Sequence, residues 1–184
     1  YQIVDTPAHS GRRAAAFTVT SDSSRNGYEA RCVLQGALPP EASYGVWFYL
    51  SSLARNTDNW NLVHFQGGAP NAWHNLWDVS LNNAADGSLY LRVFDALRGV
   101  YRVPNPTVSV PVGEWFHVEF RFKRAKDATG GVALYQNGVL LLELTGVVTD
   151  DSDLAQWYVG NLAKGLIPTD STLYVDDVTI RPPS

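Results

Sequence analysis

The residues from Trp115 to Lys123 alternate without a break. Phe116, Val118, Phe120 and Phe122 fall on one side, and Trp115, His117, Glu119, Arg121 and Lys123 on the other. A period of two is that of a strand with one face buried and one face wet. The polar, glycine-ended stretch 126–131 turns the chain back, and 132–136 reads as a second strand. Asn137-Gly138 then supplies the residues that accept the positive φ of a two-residue hairpin turn, ahead of a third strand at 139–144. The polar side of this antiparallel meander carries more chemistry than solvent contact requires.

The same pattern recurs along the chain. Strands are expected at 14–20, 28–34, 44–50, 60–66, 76–81, 89–95, 156–160 and 172–180, with a turn at 9–13 and polar loops between. Three prolines interrupt 104–111, and 150–156 is expected to make one helical turn. The 15 glycines and 10 prolines among short β-branched and aromatic runs leave little room for helices. The expected class is all-β: a two-sheet antiparallel β-sandwich, or jelly roll, whose concave sheet forms a groove. With 184 residues, 45% hydrophobic and 17% charged, the chain suits a single domain at 1–184 with a sizeable core. Its net charge of −4 gives no electrostatic footprint for nucleic acid, and no apolar run reaches the roughly 18 residues of a membrane span. Cys32, the only cysteine, shares parity with Leu34 and is expected to be buried. Tyr1 at the start and Arg181-Pro182-Pro183-Ser184 at the end read as a piece of a larger, exported protein, with a linker beginning near 181.

Parity assigns Glu29, Arg31, His64, Gln66, Asp78, Tyr90, Arg92, His117, Glu119 and Arg121 to one sheet face. Three arginines are matched there by three carboxylates, which suits bidentate bonding to sugar hydroxyls or carboxylates better than capture of a polyanion. Trp60 and Trp73 lie at expected strand–loop junctions, where an indole can stack on the apolar face of a sugar ring; Trp77 has core parity. The expected ligand-binding set is Trp60, His64, Gln66, Trp73, His74, Tyr90, Arg92, His117, Glu119 and Arg121. Asp176 and Asp177, and separately Asp150, Asp151 and Asp153, offer hard oxygens to a structural calcium. The four histidines lack the short spacing of a zinc site, and neither Gly-x-Ser-x-Gly nor a phosphate-binding glycine loop is present. Glu119 has no acidic partner at the spacing of a retaining glucanase.

The order of these motifs resembles the concanavalin A-like lectin/glucanase jelly roll, particularly its heparin-lyase-like and alginate-lyase-like branches. The resemblance rests on the early His9-Ser10-Gly11, Glu29 with Arg31, His64 with Gln66, Gly113-Glu114-Trp115, the Gln136-Asn137-Gly138 hairpin and the late Trp157-Tyr158-Val159-Gly160. The hairpin is shared with laminin G-like domains and carbohydrate-binding modules. In the closing strand, Leu173-Tyr174-Val175-Asp176-Asp177 resembles that of modules in which an aspartate helps to hold calcium. In the lyases, Gln and Arg neutralise a uronate carboxylate while His and Tyr serve as base and acid. By this resemblance the lyase candidates are His64 or His117 as base, Tyr90 or Tyr101 as acid, and Arg31 with Gln66 on the carboxylate. Two features depart from the lyase pattern. His64 precedes Gln66 instead of following it, and Asn161 and Leu162 stand where an acid or base is expected after Gly160. The expected function on these grounds is a non-catalytic, extracellular carbohydrate-binding module for a polysaccharide or oligosaccharide. The alternatives are a polysaccharide lyase acting on a uronic-acid polymer and a laminin G-like adhesion domain.

Overall fold

Phe116, Val118, Phe120 and Phe122 are all buried, as the alternation requires. The computed structural model describes residues 1–21, 28–36, 38–69 and 71–183. Fourteen strands follow one another: β1 (Gln2–Val4), β2 (Ala14–Thr20), β3 (Tyr28–Gly36), β4 (Glu41–Leu50), β5 (Arg55–Gly68), β6 (His74–Asn83), β7 (Leu89–Asp95), β8 (Val100–Arg102), β9 (Ser109–Val110), β10 (Trp115–Lys123), β11 (Gly130–Gln136), β12 (Val139–Val147), β13 (Leu154–Ile167) and β14 (Asp170–Arg181). No helix occurs among the described residues. At 150–156, Asp150 accepts from the backbone N–H and hydroxyl of Ser152, and this local turn takes the place of the expected helical one.

Two antiparallel sheets form a curled sandwich. Sheet A runs β1-β2-β14-β4-β10-β11-β12, and sheet B runs β3-β13-β5-β6-β7-β8, with β9 also on β7. One apolar cluster lies between them. From sheet A it takes Phe17, Tyr44, Phe48, Phe116, Phe120 and Phe122, and from sheet B Trp60, Phe65, Trp77, Leu91 and Trp157. Phe65 is the contact point of the two layers: its ring centre lies 4.9 Å from Tyr44, 5.2 Å from Phe120 and 5.1 Å from Phe122. Each such side chain contributes about 1.5–3 kcal/mol by leaving water.

One irregularity decides which aromatic side chains reach the surface. Asn61 pairs with Ser80 and Val63 with Val79, so Leu62 is an extra residue on β5. Such a bulge reverses the parity of everything before it. Trp60 therefore turns into the core, 0% exposed, with its indole N–H donating to Asn161 Oδ1, while His64 and Gln66 stay on the outer face. Unbroken alternation places Trp60 beside His64; the bulge removes it from the ligand-binding set. Trp77 is in the core, as its parity requires, and donates to the Thr149 carbonyl.

Cys32 is exposed, not buried. Its strand, β3, is the edge of sheet B, and the two sheets do not close over it. An apolar hollow of about 410 Å3 opens there, lined by Cys32, Leu34, Trp157 and Val159 against Phe17 and Val175.

Candidate functional site

The outer face of sheet B carries the site. Strand pairing sets Tyr158 opposite His64 and His64 opposite Asp78, so three strands present Tyr158, His64 and Asp78 in one cross-strand row. Phe94 and Tyr101 continue that row on β7 and β8. One step along β13 and β5, Gln156 pairs with Gln66.

His64 is nearly buried, and its Nδ1 is hydrogen-bonded to Asp78 Oδ1. The second oxygen of Asp78 accepts from Asn75 Nδ2 at 2.8 Å. A carboxylate on Nδ1 keeps the proton there and leaves Nε2 with its lone pair. That Nε2 has no hydrogen-bond partner among the described residues. The Tyr158 ring lies edge-on to the imidazole, with centres 5.4 Å apart. Its hydroxyl reaches Gln66 Oε1 at 3.1 Å and also contacts Gln156 Oε1. Above the ring sits the Arg31 guanidinium, 4.4 Å from the centre and paired with Glu29.

Gly160 makes this arrangement possible. Its φ is +151°, and a Cβ there would lie 2.7 Å from Arg31 Cα. Only glycine lets β3 approach β13 this closely, and that approach sets Arg31 over Tyr158.

Further along the face, Arg92 stacks on Tyr101 at 3.7 Å and donates to Ser80 Oγ, while Tyr90 accepts from Asn82. Tyr90 lies two strands from His64 and Tyr101 three, which at roughly 4.8 Å per strand is about 10 and 14 Å. Neither can act as the acid beside an imidazole at position 64. Trp73 is half-buried in the loop before β6, and His74 pairs with Asp151 at 2.6 Å; both belong to the end of the face nearest Gln66.

His117, Glu119 and Arg121 do not belong to this face. They point outward from β10, which lies in sheet A, on the opposite side of the sandwich. His117 there packs beside Trp47 and over Gly45, where a Cβ would meet its ring at 2.9 Å. Burial holds its imidazole below the usual range, against the pull of the Glu119 carboxylate. Alternation separates inward from outward but says nothing about which of two sheets a strand joins.

The aspartates singled out for calcium are all engaged by protein donors. Asp176 accepts from the backbone N–H groups of His9 and Ser10, and Asp177 contacts the His9 ring at 2.7 Å and accepts from the Ser10 hydroxyl. Those bonds hold the Asp177 carboxyl below its usual range. Asp150 pairs with Arg124, Asp151 with His74 and Asp153 with Lys126, three carboxylates on three different side chains. No group of three or more His, Cys, Asp or Glu arranged for a metal occurs among the described residues.

The residue that sequence reasoning missed is Tyr158. Attention fell on the positions after Gly160, yet Tyr158 stands two before it, at the same parity as Gln156. Alternation within 156–160 carried that signal; the neighbouring His64 did not appear in it.

Comparison with known proteins bears on the family and the fold. A family model described as polysaccharide lyase matches residues 1–179. Among solved structures, an endo-β-1,4-glucuronan lyase from the fungus Trichoderma reesei is similar with a TM-score of 0.77 at 20% identity, covering 99% of this chain and 86% of its own. The cellulose-induced protein Cip1 gives 0.64 at 16% identity, over 97% and 83%. A family 7 alginate lyase with one His→Asn and one Tyr→Phe substitution, in complex with the substrate GGMG, gives 0.61 at 12%, over 92% and 78%. No curated protein matches significantly by sequence. The family match overturns the expected non-catalytic carbohydrate-binding module, together with the laminin G-like alternative, and supports the lyase reading. Matched over nearly its whole length, the chain belongs to the polysaccharide lyase family.

Proposed function

We propose that the protein cleaves a uronic-acid polysaccharide by β-elimination on the outer face of sheet B. One observation carries this reading: His64, held at Nδ1 by Asp78 and unpartnered at Nε2, stands beside Tyr158 beneath Arg31. Elimination needs a base for the C5 proton, an acid for the leaving oxygen, and donors for the charge that develops on the carboxylate. His64 Nε2 takes the C5 proton. The C5–H electron pair forms the C4=C5 double bond, the C4–O bond breaks, and Tyr158 gives its proton to the departing oxygen. Arg31 and Gln66 bind the uronate carboxylate, lowering the cost of charge at C5. Arg92, Tyr90 and Trp73 contact sugars further along the chain. The glucuronan and alginate lyases among the similar structures support a polyuronate as the substrate class. A polymer of that kind lies outside cells, so the enzyme works extracellularly.

Incubation with glucuronan and with alginate tests this. An unsaturated uronate product absorbs in the ultraviolet, and the signal is expected with the wild type and lost with His64→Ala or Tyr158→Phe. A folded wild-type protein that yields no such product from any polyuronate overturns the reading.

A further inference from the structure

The hydroxyl of Tyr158 faces two amide carbonyls, Gln66 Oε1 and Gln156 Oε1. A phenol has one O–H and can serve one acceptor. The other carbonyl would meet the phenol oxygen lone pair to lone pair, which is repulsive. The oxygen and nitrogen of an amide are told apart only by the hydrogen bonds around them, so one of the two amides is turned over. The choice falls on Gln156. Its side chain is 0% exposed, and its Nε2 has no partner among the described residues, whereas Gln66 shows no such orphan. Half a turn about the last side-chain bond brings Nε2 onto the phenol oxygen and leaves the carbonyl in the unpartnered place, where an unpaired buried acceptor costs less than an unpaired buried donor.

We propose that Gln156 is a positioning residue for Tyr158, donating its Nε2–H to the phenol oxygen. This rests on the assignment of Tyr158 as the acid. A directional chain results: Gln156 donates to Tyr158, Tyr158 donates to Gln66 Oε1, and the Gln66 amide N–H groups are left for the substrate carboxylate. When Tyr158 gives up its proton, the bond from Gln156 remains and becomes a charge-assisted bond to phenolate. The pairing that creates this chain is local to two strands, because Gln156 and Tyr158 are two apart on β13 and Gln66 is the cross-strand partner of Gln156.

Gln156→Met, similar in volume with no strong donor or acceptor, tests it by sign. A donor to the phenolate favours ionisation, whereas an acceptor of the phenol O–H opposes it. The other charged and titratable groups facing Tyr158 are Arg31 with its partner Glu29, and His64 with Asp78; they are present in wild type and variant alike. Nine tyrosines contribute to the ultraviolet titration, so the Tyr158 component is taken as the difference from Tyr158→Phe. In Gln156→Met this component is expected to move up by about one pH unit or more. The alkaline limb of kcat is expected to move with it, kcat falling about tenfold and KM changing less than twofold. A downward shift shows that Gln156 accepts from Tyr158, and an unchanged titration shows that it is a spacer; either overturns the assignment. If the variant does not fold, the side-chain amide resonances of Gln156 in 15N-labelled wild type decide. They follow the Tyr158 titration if the N–H is bonded to it and stay fixed otherwise. The titration needs no substrate, so failure here is distinct from failure to cleave polyuronates.

Discussion

Asp78→Asn changes one heavy atom in the site and bears on the whole mechanism. Asp78 accepts on both oxygens, from His64 Nδ1 and from Asn75 Nδ2. Because Asn75 donates, the asparagine at 78 keeps its carbonyl on that side and presents its NH2 to His64. Nδ1 must then accept, the proton moves to Nε2, and the lone pair that takes the C5 proton is gone. Restoring the reactive tautomer sets Nδ1–H against a second donor and forfeits that buried hydrogen bond, at about 1–3 kcal/mol. Losing the carboxylate that stabilises the imidazolium in the transition state costs about 1.5–3 kcal/mol more. Together these give about 3–6 kcal/mol, which at 1.36 kcal/mol per tenfold is a fall in kcat of roughly 10²–10⁴. KM should change little, because Asp78 is buried and both its oxygens are taken by His64 and Asn75. The assay is initial-rate ultraviolet absorbance on the best polyuronate, with circular dichroism to confirm the fold. Proton NMR should show loss of the downfield Nδ1–H resonance of His64. A variant that keeps kcat within about threefold of the wild type, with that resonance absent, refutes the role given to the Asp78–His64 pair.

His117→Ala should leave lyase activity near the wild-type value, since His117 lies on the opposite sheet; loss of activity in a folded variant contradicts this placement. Burial depresses the His117 pKa in the folded protein, so its neutral form stabilises the fold above the unfolded value of about 6.5, and that contribution is lost as pH falls from there through the folded value. The same substitution should flatten the pH dependence of Tm in that window. Phe120→Ala removes a ring packed against Phe65 and should cost about 3–5 kcal/mol in denaturant unfolding; an unchanged midpoint excludes the register. Tyr44 has a buried hydroxyl without a partner among the described residues, and burial pushes its pKa up to about 12 against the Arg124 charge. Tyr44→Phe should therefore be neutral or stabilising by up to about 1 kcal/mol, and a loss of stability shows that the hydroxyl is bonded after all. Calcium at Asp176 and Asp177 is tested by melting with and without a chelator: removing a bound ion lowers Tm by mass action, and superimposable curves retire the idea.

Much of the sandwich is legible in the chain itself. The pleat of a strand repeats every two residues, so alternation alone separates Phe120 from Glu119 and places His64 with Gln66 and Glu29 with Arg31. The expected strands at 14–20, 89–95 and 115–123 coincide with β2, β7 and β10. Three of the residues proposed to act on the substrate, Arg31, His64 and Gln66, stand out by such two-residue spacing. The expectation of no catalysis rested on the positions after Gly160, whereas the tyrosine proposed as the acid, Tyr158, stands before it.

What periodicity cannot supply is everything that depends on which strands meet. It is a property of the local backbone, and the side chain at 117 alternates outward in the same way whether β10 joins one sheet or the other. The choice of sheet is made by the burial of both inner faces at once, a sum over the whole chain. A single extra residue at Leu62 sends Trp60 to the core, through a ladder irregularity visible only against β6. Tyr158 and Gln66 are 92 positions apart, and they meet because β13 pairs with β5. The sequence determined the all-β class, the strands and the inward residues, because each follows from the pleat. Only the tertiary structure decided that Tyr158, His64, Asp78 and Arg31 form one site, because their proximity is set by register between four strands and by the close approach that Gly160 allows.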